Sequence, residues 1–282
     1  MIQLVPPLLS DKAEKQLATY QALVLNAGDY TAQVATAKRR FESYNTLTNS
    51  TFQEVRARLA DMCVGARRCN YCEDSVANEV EHIAPKSLYP ERAFQWSNYC
   101  YACTTCNSPK SNQYAIFRDD LDGEYYEIPP HPYDKPKPGL STPPHQLVKP
   151  PAGKDVLINP RHENPLDFLL LDITDSFRFV PFDDDPQSIS YQRAVYTIRI
   201  LSLNSRGDLV KARRTTYTNF RARIREYIHN RDVGFPADYL NRLRYNLRDE
   251  NHQTVWQEMI RQHENIPELR RLFEEARETL NW

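Results

Sequence analysis

The chain has 282 residues, 40% of them apolar, and a formal net charge of -1 from 36 basic and 37 acidic side chains. This length and composition allow a real hydrophobic core, as one large domain or as a small site domain with helical flanks. The balanced charge excludes binding driven by net charge alone, so any contact with nucleic acid must come from a local patch or a partner.

The first segment, Met1 to Leu9, is apolar but has no basic stretch and is interrupted by Pro6 and Pro7, which makes it a poor signal peptide. No run approaches transmembrane length. Without an export signal, the six cysteines are better interpreted as metal ligands than as a disulfide framework. We therefore expect a cytoplasmic protein that does not bind membranes.

Residues 1–64 are predicted to form a helical region. The first helix begins at Ser10-Asp11 with a capping box to Glu14 and ends near Gly28; the second runs from about Asp29 to Tyr44, and the third begins at Ser50-Thr51. Apolar side chains three or four residues apart mark the buried faces of the first and third helices: Leu17, Tyr20 and Val24, then Phe52, Val55 and Leu59.

Two Cys-x-x-Cys pairs lie in residues 65–118, at Cys69/Cys72 and Cys103/Cys106. Each spacing lets both sulfurs face one ion, so the four thiolates predict a structural zinc site. Cys100 is an alternative partner for Cys103 or Cys106, because the three are evenly spaced. We favour the Cys103/Cys106 pair, which opens a helix. The plainest interpretation of this zinc knuckle is that it only staples the fold.

The polar residues between the pairs point to phosphodiester hydrolysis. An imidazole such as that of His82 is suited to deprotonating water at neutral pH. The Glu81 carboxylate and the Asn107 carbonyl are hard oxygen ligands suited to Mg²⁺ or Mn²⁺. Lys110 or Lys86 could contact a phosphate, although most lysines are simply solvated. Glu81 and His82 reach one pocket only if their short strand ends there.

Residues 119–155 contain the proline-rich stretch from Pro129 to Pro151, predicted to be a loop or linker. Residues 156–282 are predicted to be mostly helical after short strands at 156–158 and 177–182. The predicted helices span 190–203, 208–229, 236–247, 254–263 and 267–280. The second of these is basic, which indicates either a solvated face or a surface that binds the phosphates along a nucleic-acid backbone.

The segment from Cys69 to Lys110 resembles the HNH endonuclease superfamily, whose site is a ββα-metal hairpin and helix often pinned by a zinc knuckle. The resemblance implies that His82 is the general base, that Asn98 braces the hairpin loop, and that Glu81 and Asn107 hold the catalytic metal. Glu81 stands where Asp is frequent and Asn107 where many members have His. The matching residues, in family order, are Cys69-Asn70-Tyr71-Cys72, Glu81-His82-Ile83-x-Pro85-Lys86, Trp96-x-Asn98 and Ala102-Cys103-x-x-Cys106-Asn107-x-x-Lys110.

The layout is also similar to a narrower group, the PtuB-like nuclease subunits of Septu and some retron defence systems. The likeness extends to Glu73 and to the downstream segment Leu157 to Pro160. It implies an ABC-type ATPase partner and a role in restricting phage.

The expected fold is therefore α+β, with a small ββα-metal (HNH) core and a four-cysteine zinc knuckle, surrounded by mostly α-helical N- and C-terminal regions. The expected function is metal-dependent hydrolysis of DNA. The alternatives are a catalytically silent zinc-knuckle module that binds nucleic acid or a partner, and an HNH-type nuclease acting on RNA, because both polymers share the backbone phosphate.

Overall fold

The computed structural model describes residues 1–121, 123–131 and 146–282. Within them the protein mixes helices with short antiparallel strands, so the predicted α+β class is confirmed. Residues 132–145, most of the predicted proline-rich loop, lie outside the described residues. No helix of the described part is long and apolar enough to cross a membrane.

The three predicted N-terminal helices are present as α1 (Asp11–Leu25), α2 (Tyr30–Tyr44) and α3 (Ser50–Asp61). Their N-caps are Ser10, Asp29 and Asn49, each accepting a hydrogen bond from a backbone N–H of the first turn. The predicted capping box between Ser10 and Glu14 is wrong. Glu54 of α3 accepts from both the backbone N–H and the hydroxyl of Ser10, at 2.6 and 2.8 Å, and so ties α3 to the start of α1.

The centre of the molecule is a hairpin followed by a helix. Strand β1 (Glu79–His82) pairs antiparallel with β2 (Tyr99–Ala102), which places Glu79 opposite Ala102 and His82 opposite Tyr99. Helix α4 (Thr104–Lys110) follows directly. An aromatic cluster packs the N-terminal helices onto this hairpin: Phe41, Phe52, Phe94 and Tyr99 have neighbouring ring centroids 5.5 to 6.4 Å apart.

Two further sheets adjoin the centre. Strand β3 (Ala115–Phe117) lies between β4 (Tyr125–Glu127) and β5 (Lys154–Asp155). Strand β6 (Leu169–Leu171) pairs with β7 (Phe179–Pro181), the second of which falls within the predicted 177–182.

The strand predicted at 156–158 is wrong. These apolar residues are fully buried, but they belong to no strand. Their backbone groups bond irregularly instead: the N–H of Ile158 donates to the Thr197 hydroxyl at 3.1 Å, and Arg193 donates to the Val156 carbonyl at 3.2 Å.

The C-terminal region is helical, as predicted. Its helices are α5 (Ile189–Ile200), α6 (Gly207–Asp232), α7 (Ala237–Arg248), α8 (Gln253–Gln262) and α9 (Pro267–Glu275). The last predicted helix is shorter than expected, because the chain leaves α-helical geometry after Glu275 and closes with a 3-10 turn at Arg277–Asn281.

Candidate active site

The four predicted zinc ligands come together. Cys69 and Cys72 lie in the turn before β1, Cys103 caps α4 and Cys106 lies in its first turn. Their four sulfur atoms lie within 4.8 Å of one another, with 3.9 Å between those of Cys72 and Cys103. A tetrahedral zinc with bonds of about 2.3 Å separates its sulfurs by roughly 3.8 Å, so this donor set fits the ion.

The other two cysteines lie outside that cluster. The thiol of Cys100 is buried and donates to Asn70 Oδ1 at 3.4 Å, and that of Cys63 donates to the Leu59 carbonyl at 3.4 Å. The sulfur cluster therefore contains Cys103 and Cys106 and not Cys100. Arg206 Nη2 approaches Cys106 Sγ at 3.3 Å, a residue from the C-terminal region that the sequence pattern did not single out.

A cleft of about 400 Å³ lies beside the hairpin. One wall comes from α2, α3 and the loop between them, and the other comes from β1 and α4. Glu81, His82, Lys86 and Asn107 all line this cleft, together with Phe41, Asn45, Leu47, Arg56, Asn78, Glu79 and Val80. Strand β1 ends at His82, which meets the condition for Glu81 and His82 to reach one pocket.

His82 is held in one tautomer. Its Nε2 lies 2.9 Å from the carbonyl oxygen of Ala93. Because a carbonyl can only accept, Nε2 must carry the proton, which leaves Nδ1 as the basic nitrogen of the neutral ring. The ring of Phe41 packs 4.3 Å away and that of Tyr99 5.2 Å away, centroid to centroid. Burial, with help from the nearby positive charge of Lys86, holds the pKa of His82 well below its usual value.

Glu81 is buried in an ion pair with Lys110. The ammonium of Lys110 donates to Glu81 Oε1 at 2.5 Å and to the backbone carbonyl of His82 at 2.9 Å. Burial raises the pKa of Glu81, and the charge of Lys110 opposes that effect. Lys110 has no exposed surface, so a phosphate has no access to it here. This corrects the expectation that Lys110 contacts a phosphate: the structure makes it a partner of Glu81.

Asn107 is paired with a carboxylate that the sequence pattern did not single out. Its Nδ2 donates to Glu79 Oε2, and the hydroxyl of Thr104 donates to Glu79 Oε1 at 2.5 Å. This pairing leaves the carbonyl oxygen Oδ1 of Asn107 for another ligand. Glu79 and Glu81 are two apart on one strand and so lie on the same face, a signal that could have identified Glu79.

Asn98 spans the loop after β1. Its Oδ1 accepts from the N–H of Ala84 at 2.8 Å, and its Nδ2 donates to the carbonyls of Ala84 and Arg92 at 2.9 and 3.0 Å. These are the bracing contacts that the sequence pattern implies. A second brace, Arg161, comes from outside the motif: its Nη1 donates to the carbonyls of Trp96 and Tyr99 at 2.5 and 2.8 Å.

Lys86 is half-buried at the cleft, with its ammonium 4.9 Å from the centroid of the Phe41 ring. It thus remains beside His82, where a phosphate contact was expected. The basic face of α6 has a different arrangement. Arg221 and Arg225 pair with Glu268, Arg223 pairs with Glu250, and Arg213 is buried. These arginines are largely neutralised within the fold, which argues against the interpretation of α6 as a surface that binds backbone phosphates.

Comparison with known proteins agrees with the hairpin and helix. A family model described as HNH endonuclease matches residues 69–113, and this part of the chain is an HNH endonuclease domain. The Septu protein PtuB of Bacillus thuringiensis is 34% identical over 67 residues, which is 22% of this chain and 26% of that protein. The chain therefore spans about a quarter of the length of the curated relative it matches. No solved structure matches the chain.

Proposed function

We propose that the protein is a metal-dependent endonuclease that hydrolyses DNA phosphodiester bonds. One observation carries the proposal: His82, Glu81 and Asn107 line one cleft, and each is oriented by its own partner, namely the Ala93 carbonyl, Lys110 and Glu79. A module that only binds nucleic acid has no need of three reactive groups held this way.

His82 acts as the general base in this proposal. Its Nδ1 is unprotonated because Nε2 donates to Ala93 and because burial lowers the pKa of the ring. It can therefore take the proton of a water positioned in line with the leaving oxygen. Asn98 bonds to Ala84 and Arg92 and so holds the loop that leads to Ala93, whose carbonyl accepts from the His82 ring; its role is positioning.

Glu81 and Asn107 would hold Mg²⁺ or Mn²⁺. Their carboxylate and carbonyl oxygens are the donors that these hard cations prefer. Bound there, the cation supplies Lewis-acid stabilisation of the charge that develops on the phosphoryl and leaving oxygens. Lys110 donates a hydrogen bond to Glu81, and Glu79 accepts one from Asn107. Hydrogen bonds of this kind orient the side chains that bind a metal. Lys86 is the proposed phosphate contact at this edge of the cleft.

The biological role and partner follow from similarity. The partial likeness to Septu PtuB supports a role in bacterial anti-phage defence, with an ABC-type ATPase that restrains or directs the nuclease. A cytoplasmic location is part of this proposal.

The test is cleavage of plasmid DNA by the purified protein with Mg²⁺ or Mn²⁺ at low salt. His82→Ala and Asn107→Ala are compared with the wild-type chain, and a single-stranded RNA substrate is run in parallel. We expect nicking or linearisation of DNA by the wild type only, with zinc content unchanged in both variants. Equal cleavage by His82→Ala would refute the mechanism, and a preference for RNA would refute the substrate.

A further inference from the structure

One cation in the cleft comes from outside the HNH endonuclease domain. Arg56 lies on α3 in the N-terminal helical region and lines the same cleft as His82 and Asn107. Nothing in the match to the family, which begins at residue 69, assigns it a role. It is half-buried, so its guanidinium is partly desolvated and yet open to the cleft.

The guanidinium is held in place by uncharged oxygens. Arg56 Nη1 donates to Asn45 Oδ1 at 2.7 Å, and Nη2 donates to the backbone carbonyl of Thr46. Both acceptors belong to the loop between α2 and α3. A guanidinium has five N–H donors in a fixed plane, so these two bonds orient it and leave donors for a further ligand.

Among the described residues no carboxylate forms an ion pair with Arg56, although Glu79 and Glu81 line the same cleft and are held by Asn107 and Lys110. Arg58, two residues along the same helix, differs because it pairs with Asp61 at 3.2 Å. Arg221, Arg223 and Arg225 of α6 are also paired with carboxylates. An oriented arginine without an ion-pair partner, in the cleft that holds His82, is suited to an anionic ligand.

We propose that Arg56 binds a backbone phosphate of the nucleic acid in this cleft, so that the N-terminal helical region forms part of the substrate site. The inference rests on the proposed function, since it places the substrate in the same cleft. Planar guanidinium groups bind phosphate oxygens with two parallel hydrogen bonds. Because a phosphate contact carries no sequence information, the effect of Arg56 is the same on every sequence.

The test separates binding from cleavage. The chain carrying His82→Ala is titrated onto a fluorescent DNA duplex over a range of salt concentrations, and the titration is repeated with the double variant His82→Ala/Arg56→Gln. Glutamine removes the charge but keeps a donor for the loop, and thermal melting checks that the fold is retained. Arg58→Gln, on the same helix but paired with Asp61, is the matched control.

We expect Arg56→Gln to weaken binding and to reduce the slope of log affinity against log salt by about 1, as for the loss of one phosphate contact. Two duplexes of unrelated sequence should show the same loss, Arg56→Lys should recover part of it, and Arg58→Gln should match the parent. An unchanged slope and affinity for Arg56→Gln, or no DNA binding by the parent chain, would overturn the inference. Cleavage by His82→Ala would refute the proposed mechanism and leave the binding result for Arg56 intact.

Discussion

Replacing Asn98 with Ala tests whether the loop after β1 positions the general base. The change removes three hydrogen bonds, from the Ala84 N–H and to the carbonyls of Ala84 and Arg92, around a side chain that is only 6% exposed. Each lost bond costs about 1 kcal/mol, and more where a buried group is left unpaired. We therefore expect a loss of about 3 kcal/mol and a fall in melting temperature of roughly 6 to 12 °C for a chain of this size.

The assay is thermal melting followed by circular dichroism, with zinc content measured on the same samples. Cleavage is then measured well below the melting temperature of the variant, where we expect a lower kcat at unchanged zinc content. Asn98→Asp should be worse than Asn98→Ala, because its carboxylate would face two carbonyl oxygens. Asn265→Ala, at an exposed position, is the control. If Asn98→Ala melts and cuts like that control, the bracing role is refuted.

Four further changes test the partners of the site. Glu79→Ala should free the amide of Asn107 and raise the Mg²⁺ concentration for half-maximal cleavage by about tenfold or more. The control Glu274→Ala, at an exposed position, should leave that concentration unchanged. Equal metal titrations for the two variants would show that Glu79 does not orient Asn107. Lys110→Met should destabilise the fold by about 3 to 5 kcal/mol by leaving Glu81 buried and unpaired, and adding Glu81→Met should restore part of that loss in urea unfolding; no recovery in the double variant would argue against the pair. Cys72→Ser should lose zinc and folding together. Arg206→Ala should fold but release zinc to a chelator faster than the control Arg214→Ala does. Identical release rates for these two variants would show that Arg206 does not stabilise the zinc site.

Local patterns predicted much of the fold and the site. The helices follow from caps and apolar spacing, the clustering of four cysteines from two short Cys-x-x-Cys spacings, and the loop contacts of Asn98 from the resemblance to the HNH motif. Each of these features depends mainly on residues close in sequence or on a repeated motif. Such patterns can be recognised in the sequence without knowing which elements contact each other in the fold.

The features that the sequence did not predict depend on contacts between distant segments. Lys110 was expected at a phosphate, but α4 packs its side chain beneath β1 against Glu81. The arginines of α6 looked like a basic face because their partners, Glu250 and Glu268, lie on other parts of the chain. The run at 156–158 looked like a strand because a strand and a loop that are buried on all sides both consist of consecutive apolar residues.

The HNH endonuclease domain, residues 69–113, does not by itself form the candidate site. The domain contains His82, Glu81 and Asn107, to which we assign the base and the oxygen ligands, and the four clustered cysteines. The wall opposite them comes from α2 and α3, where Phe41 packs on the His82 ring and Arg56 faces the cleft. The hairpin is held from the other side by Arg161, whose guanidinium bonds the carbonyls of Trp96 and Tyr99. Orientation of the base and the charge of the cleft are therefore set by residues on both sides of the domain, so changes at Phe41 or Arg161 should impair cleavage although neither residue belongs to the motif.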